Sequence, residues 1–231
     1  MGDIVELAAD DARKLVVVLR RTAGSALEVV DSSGRSYGAV LLPGNGGARA
    51  RLEREGPAPR GPRLTLTLAQ GIPKGQKMDF VVEKATELGV SRIVPFSSER
   101  TVGDATREGK VERWRRIAKS AAQQSGRNDV TEIASPIDFA TLLAGVSAYG
   151  RTLVPWELAD AAPLRDMLPP LLEGIGTLLV AIGPEGGFSA AEAAAAVDAG
   201  AKLISLGSRI LRTETAGLVA CSAVFYASGD M

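Results

Sequence analysis

The 231-residue chain contains no histidine and a single cysteine, Cys221. A zinc site built on these ligands and a catalytic triad with a histidine base are therefore excluded. One thiol cannot form a disulfide within the chain, and Cys221 stands in an apolar stretch. We expect it to be a buried structural thiol, as suits a reducing compartment. Any general base must be a carboxylate or a water molecule.

Long apolar runs are also missing from the sequence. No stretch reaches the roughly 18 apolar residues that a membrane-spanning helix needs. The first residues, MGDIVELAADDARK, lack the basic start and apolar core of a signal peptide. These features predict a cytoplasmic protein with no membrane or metal partner. The length fits either one large domain or a small domain joined to a medium one.

Charge is balanced overall but unevenly distributed. The chain has 27 basic and 27 acidic residues, so its net charge is zero. Residues 1–130 carry 22 Lys and Arg against 16 Asp and Glu, whereas residues 131–231 carry 5 against 11. A polyanion bound along the first part would match this asymmetry. An ordinary solvated surface explains it equally well, and charge alone does not decide.

The first 54 residues read as a small β domain. Apolar or alternating runs at 15–19, 26–30 and 37–42 predict strands, and Asp31-Ser-Ser-Gly34 predicts a turn between the last two. Several short strands favour a small barrel or sandwich. Residues 54–62, REGPAPRGP, hold three Pro and two Gly, which predicts a stiff linker at 55–63.

Residues 64–231 alternate between strands and helices, which predicts a parallel sheet covered on both faces. Apolar runs and 3.6-residue periodicity define the elements. The predicted strands are 64–68, 91–96, 152–155, 177–182 and 202–206, and the predicted helices are 77–88, 110–125, 189–199 and 213–228.

A glycine-rich segment, AIGPEGGFSAAE (181–192), follows the strand at 177–182. It contains no Lys or Arg, and its Glu185 would repel a phosphate. The glycines are better explained by the close approach of a flat, largely neutral ligand to the backbone. Ser189 and Glu192 form a capping-box pattern, so a plain strand–turn–helix without a ligand is the alternative.

A second segment, ISLGSRILRTETA (204–216), repeats this design. Ligands of parallel sheets bind beyond the carboxyl ends of the strands, so the two segments can form one pocket. The apolar residues Ile210 and Leu211 either wall a pocket for an aromatic ring or plug the core. Arg212 and Glu214 supply charge at its edge.

Together the two segments resemble the RsmE family of 16S rRNA uridine N3-methyltransferases, which belong to the SPOUT class. PKGQKMDFVVEKATELGVSRIVPFSSERT (73–101) and RWRRIAKSAAQQSGR (113–127) are similar to two further blocks of that family. The resemblance implies an α/β fold with a parallel sheet, a C-terminal trefoil knot and a PUA-like N-terminal β-barrel. It also implies S-adenosyl-L-methionine as cofactor, 16S rRNA of the small ribosomal subunit as partner, and a homodimer formed through the last helix.

The resemblance assigns residues to the cofactor pocket. The adenosyl group has no phosphate and its sulfonium is cationic, which explains a loop without Lys or Arg. The implied cofactor-binding residues are Pro155, Ile182, Gly183, Pro184, Glu185, Gly186, Leu206, Gly207, Ile210 and Leu211.

Methyl transfer to N3 of uracil requires loss of the N3 proton or stabilisation of negative charge on O2 and O4. A fixed cation is the simplest device, so Arg212 is the first catalytic candidate and Glu214 is the candidate carboxylate base. Arg100 and Arg127 are candidates for holding RNA, and Arg20 and Arg21 would contact phosphates. Each arginine could instead be a surface or helix-terminus partner.

The beginning of the chain departs from the family pattern. The family starts with a basic-aromatic strand and a His-bearing stretch, whereas this chain has MGD and ARKLVVVLRR. That difference predicts a missing or altered first strand. Two alternatives stay open: an inactive RNA-binding or ribosome-assembly protein on the same fold, and an enzyme that uses its glycine loops to bind a nucleotide.

Overall fold

The computed structural model describes residues 2–43, 47–57, 63–102, 109–157 and 164–231. The chain divides into two compact units, residues 1–61 and 62–231, called here the N-terminal and C-terminal units. Most of the linker predicted at 55–63 lies outside the described residues. None of the described helices has the length and apolar character needed to cross a membrane.

The N-terminal unit is built on one antiparallel sheet of four strands, in the order β1-β4-β3-β2. The strands are β1 (Ile4–Glu6), β2 (Ala26–Val30), β3 (Ser36–Leu42) and β4 (Arg49–Glu55), and a short helix, α1 (Ala9–Arg13), follows β1. The first strand, expected to be missing or altered, is present and pairs with β4, with Val5 opposite Ala50. The sequence RARLERE of β4 was not predicted as a strand.

The prediction of a strand at 15–19 is wrong. Residues Lys14–Val18 continue α1 as a π-helical turn, in which the amide of Leu19 donates to the carbonyl of Lys14 at 2.9 Å. Valine favours strands only where a pleated surface accepts it, since strand propensity depends strongly on context. Here Val17 and Val18 are 63% and 68% exposed, so no core face imposes a strand period.

The predicted turn between β2 and β3 is confirmed. Asp31 Oδ1 accepts hydrogen bonds from the amides of Ser33 at 2.8 Å and Arg35 at 3.1 Å. Gly34 adopts a φ of 82°, which a residue with a Cβ rarely adopts. The hydrogen bond from the Ser33 side chain is the largest cause that holds the pKa of Asp31 below its usual value.

The C-terminal unit contains a parallel sheet, as predicted. Its strand order is β11-β9-β10-β5-β6, with β7 and β8 both pairing with β6. Its strands are β5 (Thr65–Gly71), β6 (Arg92–Ser97), β7 (Glu132–Ile133), β8 (Ile137–Asp138), β9 (Arg151–Pro155), β10 (Thr177–Ile182) and β11 (Lys202–Ile204). Its helices are α2 (Lys77–Leu88), α3 (Lys110–Ser125), α4 (Phe139–Ala144), α5 (Leu164–Leu172), α6 (Ala190–Asp198) and α7 (Thr213–Ser228).

Helices cover both faces of this sheet. Alternate residues of β10 point to opposite faces, as strand geometry requires. Leu178 and Val180 join a cluster with residues of α2, α3, α5 and α7, whereas Leu179 and Ala181 join a second cluster with residues of α4 and α6. Burial on both faces explains why β10 is a continuous apolar run.

Cys221 lies in α7 inside the first of these clusters and is fully buried. Burial raises the pKa of its thiol to about 12, so the thiolate is not populated at neutral pH. The prediction of a buried structural thiol is confirmed.

Candidate functional site

Three neighbouring strands, β11, β9 and β10, end at the same edge of the sheet because they run parallel. Pro155, at the end of β9, lies opposite Ile204, at the end of β11. Beyond β10 comes the glycine loop, residues 183–188, and beyond β11 comes the second loop, residues 205–212. The edge therefore brings both predicted pocket segments together, in the place where parallel sheets bind ligands.

The glycine loop is packed tightly against the end of β5. A Cβ on Gly71 would lie 2.5 Å from Pro184 N, and one on Gly183 would lie 3.1 Å from Gly187 C. Contacts within the loop therefore leave little room for a side chain at position 183. Gly183 and Pro184 are buried, while Glu185 and Gly186 are exposed.

A buried hydrogen-bonded chain fixes the carbonyl of Gly183. Gln70 Nε2 donates to Thr213 Oγ1 at 2.8 Å, and that hydroxyl donates to Gly183 O at 2.5 Å. The chain links β5, α7 and the glycine loop. Sequence reasoning missed Gln70 and Thr213, although the structure buries both side chains.

The other end of the glycine loop starts α6 through the predicted capping box. Ser189 Oγ accepts from the amide of Glu192 at 3.2 Å, and Glu192 Oε2 accepts from the amide of Ser189 at 2.9 Å. Glu192 Oε1 also accepts from the amide of Glu99 at 2.9 Å. The cap therefore binds the segment after β6 as well.

Glu185 points toward the start of α2. Its Oε1 accepts from the amide of Lys74 at 3.0 Å and from Lys77 Nζ at 3.2 Å. Burial alone would raise the pKa of Glu185, but hydrogen bonds from its own amide, the Lys74 amide and Lys77 together lower it. Glu185 is therefore ionised at neutral pH, and its charge is countered by Lys77.

Glu214, in the first turn of α7, approaches the same lysine. Its Oε2 lies 3.5 Å from Lys77 Nζ, and the side chain is 14% exposed. This oxygen is buried and has no hydrogen-bond partner in the described structure. Sequence reasoning singled out Glu214 but missed Lys77, the residue that pairs with it.

The second loop is more exposed and less tightly packed than the glycine loop. Gly207 has a φ of 111°, and a Cβ placed there would meet none of the described atoms within 4 Å. Ile210 is 88% exposed, so it does not plug the core, and Leu206 and Leu211 are half-buried. Arg212 is exposed and forms the N-cap of α7.

Arg100 contacts the glycine loop directly. Its Nη1 donates to Gly186 O at 2.9 Å, and a Cβ added to Gly186 would lie only 2.8 Å from the Cβ of Arg100. The predicted RNA-binding arginine thus holds the loop from the side of β6. Arg20 and Arg21 lie exposed in the N-terminal unit, Arg20 with a φ of 51°.

Arg127 is bound by protein groups at the end of α2. Its Nη1 donates to Thr86 O at 2.7 Å, Val90 O at 3.1 Å and Thr131 Oγ1 at 3.1 Å, and its Nη2 pairs with Asp129. The side chain is 13% exposed. A guanidinium held this way caps the end of α2, so its geometry favours a structural role over the predicted contact with RNA.

The residues at this edge fit a flat ring with a polar rim. Pro155, Leu206 and Leu211 are half-buried apolar groups, and Ile210 adds an exposed one. The open backbone at Gly207 allows close approach of a ligand, as glycine does elsewhere. Apolar walls combined with accessible main-chain groups are the usual composition of small-molecule sites. An adenosyl group meets these requirements.

Known RNA methyltransferases are similar to this chain over most of its length. A family model described as an RNA methyltransferase domain matches residues 60–225. A ribosomal RNA small subunit methyltransferase E from Bacillus subtilis is 37% identical over 170 residues, which cover 71% of this chain and 66% of that protein. One from Mycobacterium tuberculosis is 32% identical and covers 96% of this chain and 86% of that protein. The chain belongs to the ribosomal RNA small subunit methyltransferase E family.

A solved structure agrees with this assignment along nearly the whole chain. The crystal structure of a ribosomal RNA small subunit methyltransferase E from Neisseria gonorrhoeae, bound to S-adenosyl methionine, superposes with a TM-score of 0.87. Sequence identity is 33%, and the match covers 97% of this chain and 92% of that one.

Proposed function

We propose that this protein transfers a methyl group from S-adenosyl-L-methionine to N3 of a uridine in the 16S rRNA of the small ribosomal subunit. The observation that carries the proposal is the shared edge of β9, β10 and β11, where the glycine loop and the open second loop meet. A relative that superposes along nearly the whole chain is bound to this cofactor. Because the substrate is ribosomal RNA, we expect the protein to act in the cytoplasm.

The residues proposed to hold the cofactor lie on the glycine loop, the second loop and the end of β9. They are Pro155, Ile182, Gly183, Pro184, Glu185, Gly186, Leu206, Gly207, Ile210 and Leu211. When bound, the cofactor supplies an electrophilic methyl group on a sulfonium cation. Main-chain groups and apolar walls suffice for such a ligand, which has no phosphate to balance.

Arg212 is the residue that we propose stabilises the reacting uracil. Attack by N3 requires that its proton pass to a carboxylate or to water, and the resulting negative charge spreads over O2 and O4 of the base. An exposed guanidinium beside the open loop can donate to these oxygens, a device typically worth about 10²–10³ in rate. The ion pair of Glu214 with Lys77 supports a positioning role for Glu214 more than a role as the base.

The finer fold assignments are also proposals. We propose a trefoil knot because β11 pairs with β9, whereas α7, the next element, packs on β5 and β10. The chain must therefore cross the carboxyl edge of the sheet to reach Thr213. For the N-terminal unit we propose a PUA-like barrel in which Arg20 and Arg21 contact RNA phosphates.

A homodimer formed through α7 completes the proposal. Val219 and Tyr226 stand seven residues apart on this helix, hence on one face, and are 40% and 76% exposed. Such a face is suited to meet its copy across a two-fold axis.

Titration of the purified protein with S-adenosylhomocysteine in a calorimeter tests this function. We expect micromolar binding, followed by methylation of small-subunit particles. Binding without methylation would favour the inactive ribosome-assembly alternative, and absence of binding would overturn the enzyme assignment. Tight ATP binding in place of S-adenosylhomocysteine binding would favour the nucleotide-binding alternative.

A matched pair of variants locates the binding site. Gly207 and Gly200 both have a positive φ, 111° and 97°, and a Cβ on either meets no atom of the described residues within 4 Å. Gly207→Ala and Gly200→Ala should therefore carry similar backbone strain, on the order of 1–2 kcal/mol. We expect only Gly207→Ala to weaken binding of S-adenosylhomocysteine, by at least about tenfold. Equal affinities in the two variants would remove the second loop from the site.

A further inference from the structure

Lys77 joins two segments that are distant in the sequence. It is the first residue of α2, and its Nζ lies 3.2 Å from Glu185 Oε1 and 3.5 Å from Glu214 Oε2. Glu185 belongs to the glycine loop and Glu214 to the first turn of α7. One ammonium group therefore spans the two segments that flank the proposed cofactor site.

We propose that Lys77 is a positioning residue, which holds the glycine loop against the start of α7 and so sets the shape of the cofactor site. This inference rests on the proposed function. Lys77 is not placed in contact with cofactor or RNA; it acts through the two carboxylates that it binds.

The two carboxylates depend on Lys77 to different degrees. Glu185 also receives a hydrogen bond from the Lys74 amide at 3.0 Å. Glu214 Oε2, by contrast, is buried without a hydrogen-bond partner in the described structure, so the ammonium is the group that balances its charge there. Removing the ammonium would leave the charge of this largely buried carboxylate uncompensated, which is unfavourable.

Loss of the ammonium would also leave two negative charges close to each other. Glu185 and Glu214 approach the same Nζ atom, so without it they repel each other across a partly buried space. Glu185 is exposed, whereas the Glu214 side chain is only 14% exposed, so Glu185 is the partner that can move away. That movement would shift the backbone at residues 185 and 186, while Gly183 stays held by Thr213.

The same helix offers a matched control, Lys84. Its Nζ lies 2.8 Å from Glu83 Oε1 and 2.8 Å from Glu87 Oε1, and its side chain is 36% exposed, as is that of Lys77. The hydrogen bond to Glu185 raises the pKa of Lys77, and those to Glu83 and Glu87 raise the pKa of Lys84. Both partners of Lys84 lie on α2 itself, so its ion pairs join no separate segments.

The test compares Lys77→Met, Lys84→Met and Lys77→Arg by calorimetric titration with S-adenosylhomocysteine and by thermal unfolding. We expect Lys77→Met to weaken binding at least about tenfold, Lys84→Met to stay within about twofold, and Lys77→Arg to stay within about threefold. Wild-type affinity in Lys77→Met would overturn the inference, as would equal weakening in Lys84→Met.

A second substitution separates charge from general loss of structure. In the Lys77→Met background, Glu214→Gln removes the unbalanced charge and should recover at least about threefold of the lost affinity. No recovery would show that Lys77 acts through packing alone and would overturn its role as a bridge between carboxylates. If the wild-type protein fails to bind S-adenosylhomocysteine, the proposed function fails instead, and the two failures are thereby distinguished.

Discussion

The glycine loop and the second loop follow adjacent parts of one sheet edge but are built in opposite ways. The glycine loop is held by Thr213, Arg100 and Lys77, and a Cβ added to any of its three glycines would lie only 2.8–3.1 Å from protein atoms. The second loop exposes Ile210 and leaves the space beside Gly207 open. This difference indicates that the glycine loop sets the geometry of the site and that the second loop contacts the bound ligand.

The largest effect on stability should come from a substitution that crowds the glycine loop. In Gly71→Ala the new Cβ would lie 2.5 Å from the backbone nitrogen of Pro184, which cannot rotate away. Overpacking of this kind typically costs 1–3 kcal/mol, occasionally more, and backbone contact places this variant at the upper end, about 3 kcal/mol. Urea unfolding measures the loss, and we expect binding of S-adenosylhomocysteine to fall with it.

Gly176→Ala is the control for that experiment. Gly176 precedes β10, and a Cβ there would meet nothing within 4 Å. We expect its free energy of unfolding to stay within about 0.5 kcal/mol of wild type, as for most unconstrained surface changes. Equal stabilities of the two variants would show that the glycine loop yields readily, and the contrast between the loops would not hold.

The second-largest effect should come from removing the charge of Arg212, beside the second loop. Arg212→Ala should leave the affinity for S-adenosylhomocysteine within a few-fold while lowering kcat for rRNA methylation at least about 10²-fold. Arg165→Ala, at an 83% exposed arginine on α5, is the control and should retain activity. A fully active Arg212→Ala variant would remove Arg212 from the mechanism.

The smallest effect should come from removing the Thr213 hydroxyl, which fixes the carbonyl of Gly183. Thr213→Val keeps the shape of the side chain but leaves Gln70 Nε2 and Gly183 O without this partner. Stranding buried groups costs about 1–3 kcal/mol. Thr152→Val is the control, because the buried Thr152 hydroxyl has no hydrogen-bond partner in the described structure. Thermal unfolding should show a loss only for Thr213→Val; an equal loss in both would assign it to packing.

The sequence predicted the C-terminal unit well where local signals are strong. The bounds of α2, α3, β10 and α7 match the structure because each has clear periodicity or a continuous apolar run, and Gly89, Gly126 and Gly229 end the helices in the left-handed conformation. The short β7 and β8 were missed, since two residues carry no period. The helix α5 was missed because its interior holds Pro169 and Pro170.

The site was predicted only in part, and for a related reason. The two loops follow strands, so parallel topology alone brings them together. The residues that fix them do so through contacts remote in sequence: Lys77 reaches Glu185 across 108 positions, and Arg127 reaches Thr86 across 41. No local pattern marks such partners. Arg127 shows the limit most clearly, because an arginine after a helix predicts a charge but not its partner.

The hydrogen bond between Gln70 and Thr213 closes a span of 143 residues. Contacts of such sequence separation form late, because the entropy of closing the intervening chain must be lost before they contribute. During synthesis the described strands of the parallel sheet all precede Thr213. The hydrogen bonds that fix Gly183 can therefore form only after the first turn of the last helix has been made.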